Sequence, residues 1–187
     1  MKNTIHTIPS TARPLALATL ALVALASVPL ARAQDDAREP SLPSPLCDSL
    51  QVPDGNEVAF HAFATGVQIY KWTGTAWVFV APAATLFADA GYNGQVGTHY
   101  AGPTWQSNSG SKVVGMRLAA CSPDPNSIPW LKLGAITSVG PGIFAEVTFV
   151  QRVNTVGGKA PTVPGTTVGQ LANVPYTAEY VFYRATD

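Results

Sequence analysis

The stretch VPYTAEYVFYRA, Val174 to Ala185, decides the fold class. In an extended chain Tyr176, Ala178, Tyr180 and Phe182 fall on one face, and Thr177, Glu179, Val181 and Tyr183 on the other. Successive side chains of a strand point to opposite sides, so an alternation of this length, rich in aromatic and β-branched residues, specifies a β-strand. FAEVTFVQRVN, Phe144 to Asn154, repeats the pattern upstream. Between them TVGGKAPTVPGTTVGQ, Thr155 to Gln170, is a long Gly/Pro/Thr loop.

The same grammar extends toward the N-terminus. NEVAFHAFA (Asn56–Ala64) reads as a strand, with Thr65-Gly66 as a turn before VQIYKW (Val67–Trp72). AWVFVAP (Ala76–Pro82) returns across the short TGT loop, whose central glycine suits a three-residue hairpin. SKVVGMRLAAC (Ser111–Cys121) follows the turn cluster SNSG, and IPWLKLGAITS (Ile128–Ser138) enters a further strand through Pro129. No segment among these carries the 3-4-3 apolar spacing of an amphipathic helix. The expected fold is all-β, a single-domain β-sandwich or squat β-barrel of about seven or eight mostly antiparallel strands. GTAW and GPTW are two loose matches with unequal surroundings and establish no repeat.

Residues 1–33 fall outside this domain. Lys2 and Arg13 precede an apolar run from Leu15 to Leu30, and Ala31-Arg32-Ala33 supplies a small-x-small cleavage pattern. A short run interrupted by Pro29 is read as a secretory signal peptide rather than a membrane span, with cleavage near Ala33/Gln34. The expectation is therefore a secreted or periplasmic protein with no membrane span in its mature form. Residues 34–53 form a Pro-rich N-terminal arm, extended or poorly ordered up to Cys47, and residues 54–187 the all-β domain.

Losing Lys2, Arg13 and Arg32 from the 11 basic residues leaves 8 against 11 acidic ones, a net charge of −3. The remaining cations are scattered singly, which argues against nucleic acid as a partner, because backbone phosphates are neutralised by clustered Lys and Arg. The two cysteines, Cys47 and Cys121, meet an oxidising compartment after export, where a disulfide is the natural state.

Chemistry is constrained more by what is missing. A GxGxxG between strand and helix, a P-loop and a GxSxG elbow are all absent. The mature chain retains two histidines, His61 and His99, in weak candidacy for a metal site completed by Asp89 or Glu146; no HExxH or His-x-His pair supports them. The domain's few carboxylates, such as Glu146 and Glu179, sit in strand patterns where a solvent-facing role is simpler than that of a glycosidase pair. No cofactor is expected.

Aromatic residues are the remaining resource. GQVGTHYAGPTW, Gly94 to Trp105, is read as a β-turn region carrying packed aromatics with a binding edge. His99, Tyr100 and Trp105, together with Trp72, are its candidate binding residues, since flat rings with an adjacent polar group suit sugar rings.

Five ordered blocks, VQIYKWTGTAWVFVAPAATLFAD, VGTHYAGPTWQSNSGSKVVG, IPWLKL, VTFVQRVNTVGGKAP and VPYTAEYVFYRA, closely resemble the family DUF3455, a domain of unknown function. The resemblance implies a secreted or envelope single-domain protein and no specific activity. Some relatives are described as malate dehydrogenases, and the resemblance implies a cysteine in many of them where this chain has Lys71. The missing dinucleotide fingerprint disfavours an NAD-dependent dehydrogenase here. The leading expectation is an uncharacterised, non-catalytic binding or structural protein of the cell envelope or exterior, with a glycan or other envelope component as partner. The alternative is an enzyme with an unfamiliar His-based hydrolytic site, with or without a metal.

Overall fold

The computed structural model describes Met1 and residues 39–186. The signal peptide expected over residues 1–33, apart from Met1, and the first residues of the arm lie outside the described residues. Eight strands run in chain order: β1 (Asn56–Trp72), β2 (Trp77–Phe87), β3 (Gln95–Tyr100), β4 (Thr104–Ser107), β5 (Lys112–Cys121), β6 (Trp130–Val139), β7 (Val147–Gly157) and β8 (Leu171–Ala185). Each pairs antiparallel with the next, and β1 pairs with β8 along nearly its full length, from Asn56↔Ala185 to Lys71↔Leu171. The sheet thus closes on itself, which removes both exposed edges. Of the two architectures expected, the closed ring is the one formed, made irregular by bulges at Val58/Phe60, Ile69/Tyr70 and Arg117/Ala119.

One turn expected from sequence is not a turn. β1 runs straight through Thr65-Gly66, because β2 approaches so closely that a Cβ on residue 66 would overlap the Ala83 carbonyl. Glycine here admits a neighbouring backbone instead of reversing the chain. The stretch around His99 differs as well. It is a hairpin of two short strands, β3 and β4, with only Ala101–Pro103 left for the turn.

The face of β8 that carries Tyr176, Ala178, Tyr180 and Phe182 points inward, with all four buried, while Val181 and Tyr183 are buried on the other. One end of the interior is a solid plug in which Phe60, Phe144 and Phe182 pack with ring centroids 4.6–6.3 Å apart, joined by Leu86, Val113 and Val150. The opposite end, where β1 finishes and β8 begins, holds polar side chains.

The outer face of β7 and β8 is also buried, because the arm folds over it. A disulfide joins Cys47 to Cys121, and a 3-10 turn over Asp48–Leu50 places Leu50 against Cys121, Trp130 and Val153. Gln151 Nε2 donates to the Leu50 carbonyl at 2.7 Å, and Tyr183 donates its hydroxyl to Gln151 Oε1 at 2.7 Å. The arm is therefore packed against the domain at Leu42, Cys47 and Leu50.

Candidate functional site

The polar end of the ring contains a cavity of about 300 Å³. His99 and Trp105, a register pair between β3 and β4, form its aromatic wall. Their rings stack with centroids 4.5 Å apart and planes 11° from parallel, and Tyr180 packs against both. This is possible because β5 carries Gly115 beneath the indole: a Cβ there would stand 3.1 Å from Trp105. Gln68 of β1, Arg117 of β5 and Arg152 of β7 supply polar groups, while Phe79 and Val80, each about half exposed, form the rim.

Two buried donors in this lining have no hydrogen-bond partner: Gln68 Nε2 and Trp105 Nε1. Both residues are almost fully enclosed, with 2% and 1% of their surface exposed. The Gln68 amide lies near enough to Tyr176 to favour an ionised phenol, yet its Nε2 reaches no hydrogen-bond geometry. Buried polar atoms are nearly always paired, so two unpaired donors among the residues of one lining mark this region apart from the rest of the described interior.

The electrostatics are equally uneven. Burial pushes His99 down to about 3, only partly opposed by its hydrogen bond to Thr104, and nearby Arg152 pushes the same way. The imidazole is therefore neutral at physiological pH. Its Nδ1–H donates to the Thr104 carbonyl at 2.9 Å, which fixes the tautomer and leaves Nε2 as an acceptor. Burial likewise raises Tyr70, Tyr176 and Tyr180. Arg152 donates from Nε and Nη2 to the Pro129 carbonyl at 3.1 and 2.8 Å. No carboxylate stands within ion-pair distance of Arg152 among the described residues, and none lines the cavity.

The family described as a protein of unknown function, DUF3455, matches residues 53–184. The chain belongs to that family. No curated protein and no solved structure matches it. DUF3455 membership thus identifies relatives without assigning an activity, and the chemistry has to be read from the cavity itself. Within this DUF3455 chain, no helix among the described residues is long and apolar enough to cross a membrane, and the Cys47–Cys121 bond is compatible with an extracellular location.

The residues singled out by sequence are distributed unequally. His99 and Trp105 come together, but facing inward, with 3% and 1% of their surface exposed. Tyr100 follows His99 in the strand and so points to the outer face, where its hydroxyl donates to Gln106 Oε1 at 2.7 Å. The aromatic edge expected from these three residues is split by the pleat. Trp72 stands apart, packed on Trp77 beneath the loop at Pro161–Pro164, and Trp77 Nε1 donates to the Val163 carbonyl.

The weak metal candidates also separate. His61 lies on the outside of β1 and donates Nε2–H to Glu179 Oε2 at 3.1 Å, whereas His99 lies inside. Burial would raise Glu179, but hydrogen bonds from His61 and Asn154 outweigh it and hold the carboxyl below its ordinary value. Asp89 is occupied in its own turn, accepting from Gly91 and Asn93. No group of three potential metal ligands exists among the described residues. Nothing in the sequence pattern singles out Gln68 or Arg152. Each sits at an alternating position in a strand pattern, and only closure of the ring reveals that those positions face inward.

Proposed function

We propose that this protein is a non-catalytic small-molecule-binding domain whose ligand enters the open end of the ring, and that it acts in the periplasm or outside the cell after removal of residues 1–33. The observation that carries this reading is a cavity with two unpaired buried donors inside an otherwise packed barrel. A volume of about 300 Å³ is at the lower bound of pockets that hold small molecules, and sites of that kind combine apolar walls with a few fixed polar groups. Export rests on the N-terminal sequence pattern, with the disulfide in agreement.

A glycan laid across an open aromatic face has less support, since His99 covers one face of Trp105 and Tyr180 meets the ring edgewise. Hydrolysis has less support again. His99 is a weak base, and the lining offers no serine, threonine, cysteine or carboxylate to act with it.

The test is thermal unfolding of the oxidised protein against small amphipathic molecules, soluble oligosaccharides and divalent metals with chelator. The rim variant Val80→Trp, which narrows the mouth at a bulged position, is run in parallel. A ligand at a hundred times its Kd stabilises a fold by about 2.7 kcal/mol, a shift of several degrees. Shifts by small amphiphiles that vanish in Val80→Trp support the proposal. Glycan shifts lost in Trp72→Ala but kept in Val80→Trp would overturn it in favour of an outer platform. A metal shift reversed by chelator would reopen the histidine site.

A further inference from the structure

Resting on the binding reading above, the cavity's chemistry specifies its ligand more narrowly. We infer that the cavity takes a small organic monoanion, a carboxylate on an apolar body, with the carboxylate against Arg152 and the body toward Phe79 and Val80.

Three independent observations converge. First, Arg152 is a half-buried guanidinium with no carboxylate at ion-pair distance among the described residues. A cation removed from water without a counter-charge is costly, and a bound anion removes that cost. The Pro129 carbonyl engages Nε and Nη2, and the Tyr180 hydroxyl also lies within hydrogen-bonding reach, which still leaves N–H groups of the five-donor planar fork for a planar carboxylate. Second, the two unpaired buried polar atoms among the lining residues, Gln68 Nε2 and Trp105 Nε1, are both donors, and although neither is exposed to the cavity they leave its wall donor-rich, which suits an acceptor-rich guest. Arg117 adds a second, exposed cation at the mouth, and no acidic side chain lines the space to repel an anion. Third, the polarity is graded: enclosed donors lie within, while Phe79, Val80, Pro82 and Leu131 form apolar walls. A guest complementary to that gradient is charged at one end and apolar at the other. His99, neutral and stacked on Trp105, adds no repulsion to such a body.

The experiment measures affinities for matched probes by calorimetry or tryptophan fluorescence. Octanoate is compared with octanamide and octanol, 3-phenylpropionate with its amide, and inorganic phosphate is measured alone. In the wild type the acids should bind about tenfold or more tightly than their amides, as a charge-assisted hydrogen bond implies. In Arg152→Met that preference should fall to near unity while amide binding persists, and Arg152→Lys should restore part of it.

Should Arg152→Met fail to fold, a pH series on the wild type replaces it. The acid's advantage should fade as the ligand carboxyl protonates at about pH 4–5. Neither His99 nor Tyr180 in the lining changes charge between pH 7 and 4, since burial pushes His99 down to about 3 and Tyr180 up. Equal binding of acid and amide would overturn the anion assignment and leave the binding reading standing. An acid preference unmoved by Arg152→Met or by pH would place the anion elsewhere and overturn it too. Phosphate binding as tightly as octanoate would remove the apolar body. If none of these probes binds while an unrelated compound does, the ligand class is wrong; if nothing enters the cavity at all, the binding reading itself fails.

Discussion

The two halves of the ring interior are built by opposite rules. Around Phe60, Phe144 and Phe182 the space is filled with rings and aliphatic side chains, and the strands are held together from within. Around Gln68, Trp105 and Arg152 the space is partly empty, and among the described residues two donors are unpaired and a cation has no counter-charge. That half is braced from outside instead, where the disulfide and Leu50 clamp the ends of β5 and β6. One sheet can thus support both a core and a site, provided the half that gives up internal packing is secured elsewhere.

The largest effect should come from opening the plug. Phe182→Ala removes a fully buried ring that touches four other aromatics, and should cost about 3–5 kcal/mol in denaturant unfolding. A loss near zero would mean that the two halves are not built differently.

Next comes the external brace. Replacing Cys47 and Cys121 by alanine releases a crosslink spanning 74 residues, with an expected loss of about 2–4 kcal/mol. Hydrogen exchange should rise first at the Cys121 end of β5 and the Trp130 end of β6, while amides near Phe182 stay protected. Uniform acceleration would show that the clamp serves the whole barrel instead.

Acid should separate the halves further. His99 is depressed to about 3 in the folded protein, below the ordinary 6.5 of an exposed histidine. The unfolded chain therefore takes up the proton first, so the stability is complete above about pH 6.5 and is lost as pH falls toward 3. The slope should approach about 1.4 kcal/mol per pH unit, or about 2 kcal/mol by pH 5. His99→Gln should flatten it. Glu179, also depressed, contributes only lower down, with stability present above 4.5 and lost below it. A His99 NMR signal that titrates near 6.5 would contradict the buried, neutral assignment.

The smallest effect is the most discriminating. Gln68→Met exchanges an unpaired buried amide for an apolar chain of similar length, so stability should stay level or rise by up to about 1 kcal/mol. The same variant should weaken carboxylate binding. A clear loss of stability would show that the amide is structurally engaged with Tyr176 and is not held for a ligand.

Much of this was legible in the chain. The alternation in Val174–Ala185 sorts β8 into its two faces without saying which is inward, and the recurrence of strands and turns specifies an all-β domain of about seven or eight strands. The cysteine pair was legible from its number and expected compartment. Thr65-Gly66 reads as a turn because a glycine beside threonine looks the same in sequence whether the chain reverses or a neighbouring strand comes close. His99 and Trp105 were legible as a cluster but not as an interior one. Tyr100 was grouped with them because proximity in sequence ignores the pleat.

The sequence alone therefore determined most of the strand periodicity, which depends on neighbours a few residues apart, and the family, which rests on the order of motifs along the chain. Only the tertiary structure decided that β1 meets β8. That closure turns one face of every strand into an interior and brings Gln68, His99, Trp105 and Arg152, drawn from four strands, around a single space. Whether that space is filled or left open depends on the summed volumes of side chains far apart in the chain, and no local pattern encodes such a sum.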